Sequence, residues 1–125
     1  MFWFYFFFSL FLPLILFLIG RSWKKHPPKE INSFYGYRTT RSMASQEAWD
    51  FAHHYSGKVF FTCGAVLLLL SPLAVILGGS QITTVFMALM GLQLLCLAGT
   101  IPLTEAALRK NFEKDGTPKA KAHGK

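Results

Sequence analysis

The sequence predicts an all-α integral membrane protein, with three transmembrane helices and an interfacial cytoplasmic helix before the second. Two observations predict it: where the charges lie, and how long the stretches between them are. Residues 1–20 and 59–104 hold no Lys, Arg, Asp or Glu, and all 13 basic and 6 acidic side chains fall in 21–58 or 105–125. A charge at the bilayer centre costs about 2.5–3.5 kcal/mol on insertion scales. Water imposes no such cost, so a water-soluble chain scatters its charges. The hydrophobic share, 52%, agrees.

A helix needs about 20 apolar residues to cross a hydrocarbon core of about 30 Å. The first run, 1–20, fits one span. The second is 46 residues long and fits two, divided at Gly78, Gly79, Ser80 and Gln81, its one Gly/Ser/polar cluster. The expected spans are about 2–20, 59–78 and 82–103, with a loop 21–58 and a tail 104–125, in a single membrane module over 1–125. The first span lacks the basic start and small-residue cleavage site of a secretory signal. Residues 2–8 are seven consecutive aromatics, of which Trp3 and Tyr5 suit the membrane–water interface. Pro13 is a kink point.

Charge sets the expected topology. The loop holds seven basic residues (Arg21, Lys24, Lys25, Lys29, Arg38, Arg41, Lys58) and the tail six (Arg109, Lys110, Lys114, Lys119, Lys121, Lys125), while the 78–81 turn holds none. With three spans, loop and tail share a side. The positive-inside rule makes that side cytoplasmic and puts the N-terminus outside. The net charge of +7 is then a topology signal that also attracts anionic lipid headgroups, and it does not point to direct nucleic-acid binding. Cys63 and Cys96 read as small packing residues.

Spans two and three repeat small residues every seven positions: Gly57, Gly64, Ser71 and Gly78, then Thr84, Gly91 and Ala98. Seven residues is close to two turns, so each set forms one stripe where helices can approach closely. Folding back at 81 pairs Gly78 with Thr84, Ser71 with Gly91 and Gly64 with Ala98. The same register predicts an ion pair between Lys58 and Glu105. Gln93 lies about 200° round the helix from Gly91, so it is expected to face span one or a second protomer.

The loop opens with Trp23 and its basic neighbours, then Pro27-Pro28, which stop any helix. Gly36 between Tyr35 and Tyr37 reads as a turn. Ser45 is the expected N-cap of a helix from about 46, with Glu47 in its first turn. That helix turns Trp49, Ala52 and Tyr55 towards span two and Glu47, Asp50 and His54 towards water. His53 and His54 read as its surface, since adjacent histidines do not share one metal. An EF-hand's alternating ligands are missing at Asp115-Gly116, which reads as a helix stop before a disordered 117–125. No metal site or cofactor is expected.

The segment Asn32-x-x-Tyr-Gly-Tyr-Arg-Thr-x-x-Ser-Met-x-Ser-x-Glu-x-Trp49, followed by Ala52 and Gly57, resembles the SdpI family. Residues 105–116 are similar to the family's closing segment, so the resemblance covers about 30–116. These are bacterial multi-pass membrane proteins related to an immunity protein against a secreted killing peptide. That protein is longer, and is described as also holding a transcriptional repressor at the membrane. The motif positions are Asn32, Gly36, Arg38, Thr39, Ser42, Met43, Ser45, Glu47 and Trp49; the resemblance assigns none of them a chemical role.

Arg38 and Arg41 lie beside Tyr35 and Tyr37, and arginine can hold a phosphate or carboxylate bidentately. These four are candidate contacts for lipid or peptide, against a structural alternative in which an arginine pairs with Glu47 or Asp50. Nothing converges as catalytic groups do, and the spans hold no ionisable group besides two thiols, so neither an enzyme nor an ion-coupled pump is expected. The resemblance implies toxin-peptide immunity or membrane-stress sensing through the loop, with a membrane-active peptide or a cytoplasmic repressor as partner. The alternatives are a small oligomeric transporter or channel component, with Gln93 and Ser71 as pore lining, and a structural lipid-binding protein. Whether the chain forms a homo-oligomer is open.

Overall fold

The computed structural model describes residues 2–32 and 34–118. The described residues form three helices: α1 (Phe2–Lys25), α2 (Gln46–Gly78) and α3 (Ile82–Asn111), with a short 3-10 turn, Gly79–Gln81, between the last two. Two stretches, Phe2–Lys25 and Gln46–Asn111, are long and apolar enough to cross a membrane. Their outward faces carry large apolar side chains, among them Phe7, Phe11, Leu69, Leu77 and Leu95, each more than half exposed. In water such a belt would be unfavourable at roughly 25 cal/mol per Å²; against lipid it costs nothing.

Ser45 starts α2 as expected. Its backbone is extended, and its Oγ accepts the Ala48 N–H at 3.0 Å. The helix then runs unbroken for 33 residues, about 50 Å at 1.5 Å per residue. The interfacial helix expected before the second span is therefore not a separate element. It is the first turns of α2, which project beyond the apolar run. Pro13 and Pro72 lie inside helices without ending them. Gly79, at φ +54°, makes the turn between α2 and α3.

Gly57 and Gly64 of the small-residue stripe on α2 face α1, not α3, while Ser71 and Gly78 lie against α3. A Cβ on Gly64 would stand 2.5 Å from the Phe17 backbone nitrogen, one on Gly57 would stand 3.1 Å from the Trp23 Cβ, and one on Gly20 would collide with the Phe61 backbone. The α1 face that meets them is Ser9, Pro13, Leu16, Gly20 and Trp23, all buried. On α3 the expected partners Thr84, Gly91 and Ala98 are exposed, and a Cβ on Gly91 would meet nothing within 4 Å. The buried face of α3 is instead Phe86, Leu89, Gln93, Thr100, Thr104 and Leu108. Gln93 explains the correction. An amide facing lipid leaves its hydrogen bonds unmade. Gln93 and Gly91 lie on opposite sides, so turning the amide inward turns the small stripe out.

Gln93 is fully buried, and its Nε2 donates to the Ser9 carbonyl of α1 at 2.8 Å and to the Ser71 Oγ of α2 at 3.0 Å. The contact with span one is as expected; that with Ser71 is not. The two side chains proposed as pore lining are bonded to each other inside the bundle. At the same end Tyr5 and Phe86 pack with ring centroids 4.7 Å apart. Cys63 and Cys96 are free thiols that meet across α2 and α3.

After α3 the chain turns sharply. The Glu113 N–H bonds to the Thr117 carbonyl at 2.7 Å, and Gly116 sits at φ +88°. The helix thus stops at Asn111, before the Asp115-Gly116 pair read as its stop. The disordered segment expected over 117–125 lies, from 119 onward, outside the described residues.

Gly64→Ala should destabilise the bundle by about 1–3 kcal/mol, the usual cost of overpacking, because it meets backbone that cannot swing away. Gly91→Ala should be neutral. Thermal unfolding in mild detergent compares them, and equal loss in both would contradict the packing described.

Candidate functional site

The loop 26–45 folds back on the first turns of α2 and the last turns of α3, and its Tyr37, Thr39 and Ser42 form one hydrogen-bonded network with His53 of α2 and Glu105 of α3. His53 lies 25 positions before Gly78 along α2, about 37 Å from the turn. That is beyond a hydrocarbon core of about 30 Å. Glu105 lies at a matching height on α3.

Glu105 is the anchor on α3. Its Oε2 accepts the Tyr37 phenol at 2.8 Å and the Thr39 hydroxyl at 2.7 Å. The Tyr37 hydroxyl also lies 3.2 Å from the Ile101 carbonyl. Thr39 and Ser42 hold each other. The Thr39 N–H bonds to Ser42 Oγ at 2.8 Å, and the Ser42 N–H to Thr39 Oγ1 at 3.1 Å. Ser42 Oγ in turn reaches the Tyr37 carbonyl at 2.9 Å. The two hydroxyls take the Thr39 and Ser42 N–H groups, which the turn's own carbonyls leave unpaired. The expected pair of Lys58 with Glu105 is absent. The carboxylate is held by the two loop hydroxyls, and Lys58 is exposed on another face beside Tyr55 and Thr62.

His53 is the anchor on α2, and the sequence reading missed it. Expected on the surface, it is completely buried. Its Nε2 accepts the Tyr37 N–H at 2.8 Å, and its Nδ1 lies 2.8 Å from the Trp49 carbonyl. A backbone N–H can only donate and a carbonyl only accept, so the ring is neutral with its proton on Nδ1. Burial pushes its pKa below the usual histidine value. Gly36, at φ +115°, lies over the ring, and a Cβ there would stand 2.5 Å from His53 Nε2. A signal existed in the sequence: His53 is four residues after Trp49, so the two share a helix face. Burial and the Glu105 carboxylate push the Tyr37 phenol well above its ordinary value, so it stays a donor.

The remaining motif residues tie the edges. Trp49 is buried and its Nε1 donates to the Pro28 carbonyl at 2.8 Å. Asn32 Oδ1 accepts the N–H groups of Phe34 and Tyr35. Trp23 Nε1 donates to the Tyr35 hydroxyl at 3.0 Å. The Ser45 hydroxyl that caps α2 also donates to the Gly116 carbonyl at 2.7 Å, which draws the turn after α3 onto the loop. Met43 closes the turn through its N–H to the Thr39 carbonyl, and Arg41 lies in the same turn. Glu47 is exposed in the first turn of α2. Of the four candidate lipid or peptide contacts, Tyr37 is withdrawn into the network while Tyr35 and Arg38 stay exposed. The whole is a clasp, built to hold loop, α2 and α3 together.

A model of the SdpI/YfhL protein family matches residues 29–104. Over 53 residues the chain is 43% identical to the uncharacterized protein YfhL of Bacillus subtilis (strain 168), covering 42% of this chain and 48% of that protein. The stretch matched is thus about half the length of that relative. No solved structure matches.

Two outcomes test the clasp. Thr39→Val should cost about 1.5–3 kcal/mol, the range for a hydrogen bond to a charged group; Thr40→Val, at an exposed neighbour, should cost nothing measurable. Because the folded His53 holds its proton more weakly than an unfolded histidine, its contribution is complete above about pH 6.5 and is lost as pH falls from there through the lower folded value. Thermal unfolding from pH 7.5 to 5 should show this decline in the wild type and a flatter profile in His53→Gln.

Proposed function

The chain belongs to the SdpI/YfhL family, and from that premise we propose that it is a three-span protein of the bacterial cell membrane that senses or resists a membrane-active peptide. The N-terminus lies outside; the loop and the tail are cytoplasmic. The distribution of basic residues supports this orientation, with seven in the loop, six in the tail and none in the turn between α2 and α3. Immunity is supported by the resemblance of the 32–49 motif to the family of the killing-peptide immunity protein. The role is non-enzymatic, and the clasp is the reporting element.

The observation that carries this reading is the pair of hydroxyls on Glu105. They fix the motif loop to the end of a long apolar helix. A peptide that shifts or tilts α3 in the bilayer therefore strains these bonds and changes the loop on the cytoplasmic side, where a soluble partner such as a repressor can read it. A switch of this kind needs an element with two arrangements biased by the ligand. A short loop held by a few hydrogen bonds across 68 residues of sequence is such an element.

The test is membrane potential in a sensitive bacterium expressing the chain and challenged with a secreted killing peptide of the family's type. The wild type should retain its potential, and Glu105→Ala, at equal abundance in the membrane, should lose it. Retention in both would remove the clasp from the mechanism; collapse in both would remove immunity to that peptide.

A further inference from the structure

α1 and α3 meet at the end where Tyr5 packs on Phe86 and Ser9 receives Gln93, and they part towards the clasp. Between them at that end lies a groove of about 590 Å³. Its walls are Trp23, Phe60, Leu94, Leu97, Ala98 and Ile101, and its roof is loop residues 36–39. The walls are apolar throughout. At the roof lies Arg38, an exposed residue, beside Thr39.

The groove spans two environments. Ile101 lies 20 residues beyond Gln81 along α3, about 30 Å, which is the thickness of the hydrocarbon core. Leu94 and Leu97 therefore face acyl chains, while the roof lies level with headgroups. Leu94 and Ile101 are 60% and 53% exposed, so the groove opens sideways to the bilayer and not only to water. An occupant must be apolar along its length and negatively charged at its head.

We propose that this groove holds one acyl chain of an anionic phospholipid, with its phosphate at Arg38. The inference rests on α2 and α3 crossing the bilayer. The chain fills the apolar fissure and the headgroup reaches the loop. A guanidinium has five donors, enough for a phosphate together with bonds inside the protein. Charge complementarity favours an anionic headgroup over a zwitterionic one, because phosphatidylcholine would bring a cation to the same place. The groove lies directly against Tyr37 and Thr39, the residues that hold Glu105, so an occupied groove buttresses the clasp. The nearby trio Arg21, Lys24 and Lys25 also attracts anionic lipid, but over Phe17 and Phe61 at the α1–α2 seam.

The full chain, purified in mild detergent, is mixed with phosphatidylglycerol or phosphatidylcholine of identical chains and examined by native mass spectrometry. The wild type should retain one phosphatidylglycerol at collision energies that strip phosphatidylcholine. Ala98→Trp fills the groove without touching a clasp bond and should reduce retention at least tenfold, while Ala98→Ser should leave it unchanged. Arg38→Gln should abolish the preference between the two lipids. The triple variant Arg21→Gln, Lys24→Gln, Lys25→Gln should keep it. Wild-type retention in Ala98→Trp, or loss of preference in the triple variant alone, overturns the proposal. Should Ala98→Trp fail to fold, Arg38→Gln decides: equal retention supports the site and an unchanged preference refutes it. If the chain were not membrane-spanning it would appear in the soluble fraction without detergent, which separates that failure from failure of the site.

Discussion

An amide surrounded by apolar side chains and lipid has to find its partners within the protein, and Gln93 finds them on both neighbouring helices. Much of the architecture follows from that requirement. With Gln93 inward, residues seven and eleven positions on fall within about 20° of the same face, which buries Thr100 and Thr104. Glu105 then lies on the flank of α3, half-buried, where the loop can reach it. The rotation that gives the Gln93 NH2 group its two partners thus sets the position of the carboxylate that holds the clasp.

The other structural axis is the close approach of α1 and α2. Gly20, Gly57 and Gly64 let two backbones come nearer than side chains would allow. In lipid there is little hydrophobic drive between helices, so such contacts supply much of the association. The Phe17–Phe61 stack, with centroids 4.8 Å apart, and Lys24 over the Phe61 ring at 4.1 Å flank the same seam. α1 is therefore joined to α2 along its length but to α3 chiefly at one end. The groove beneath the loop is the space left by that asymmetry.

The helices, the turn near 78–81, the Ser45 cap and the Gly36 turn were all legible in the sequence, because charge exclusion, glycine placement and capping chemistry are local. The partner of a small-residue stripe was not. Seven-residue spacing says that a face is smooth, not which helix lies on it, and Gly57 and Gly64 suit α1 as well as α3. The rule that polar groups avoid lipid arbitrates: with Gln93 turned inward, Gly91 faces out. For His53 the spacing from Trp49 shows the helix face but not the role: an imidazole suits a surface, a metal site or a buried acceptor equally well. Only the fold of the loop over it supplies the Tyr37 N–H that decides.

The bonds that close this structure join its beginning or middle to its last residues: Ser9 to Gln93, Tyr37 to Glu105, and Ser45 to Gly116. Chains are made from the N-terminus onward, so every one of these partners waits for α3 to emerge. Until then α1 and α2 can pack through their glycines, but the loop has no carboxylate to grip. Contacts of such long sequence separation form late. A chain lacking α3 therefore leaves the loop unclasped, with Tyr37 and Thr39 deprived of the carboxylate that holds them.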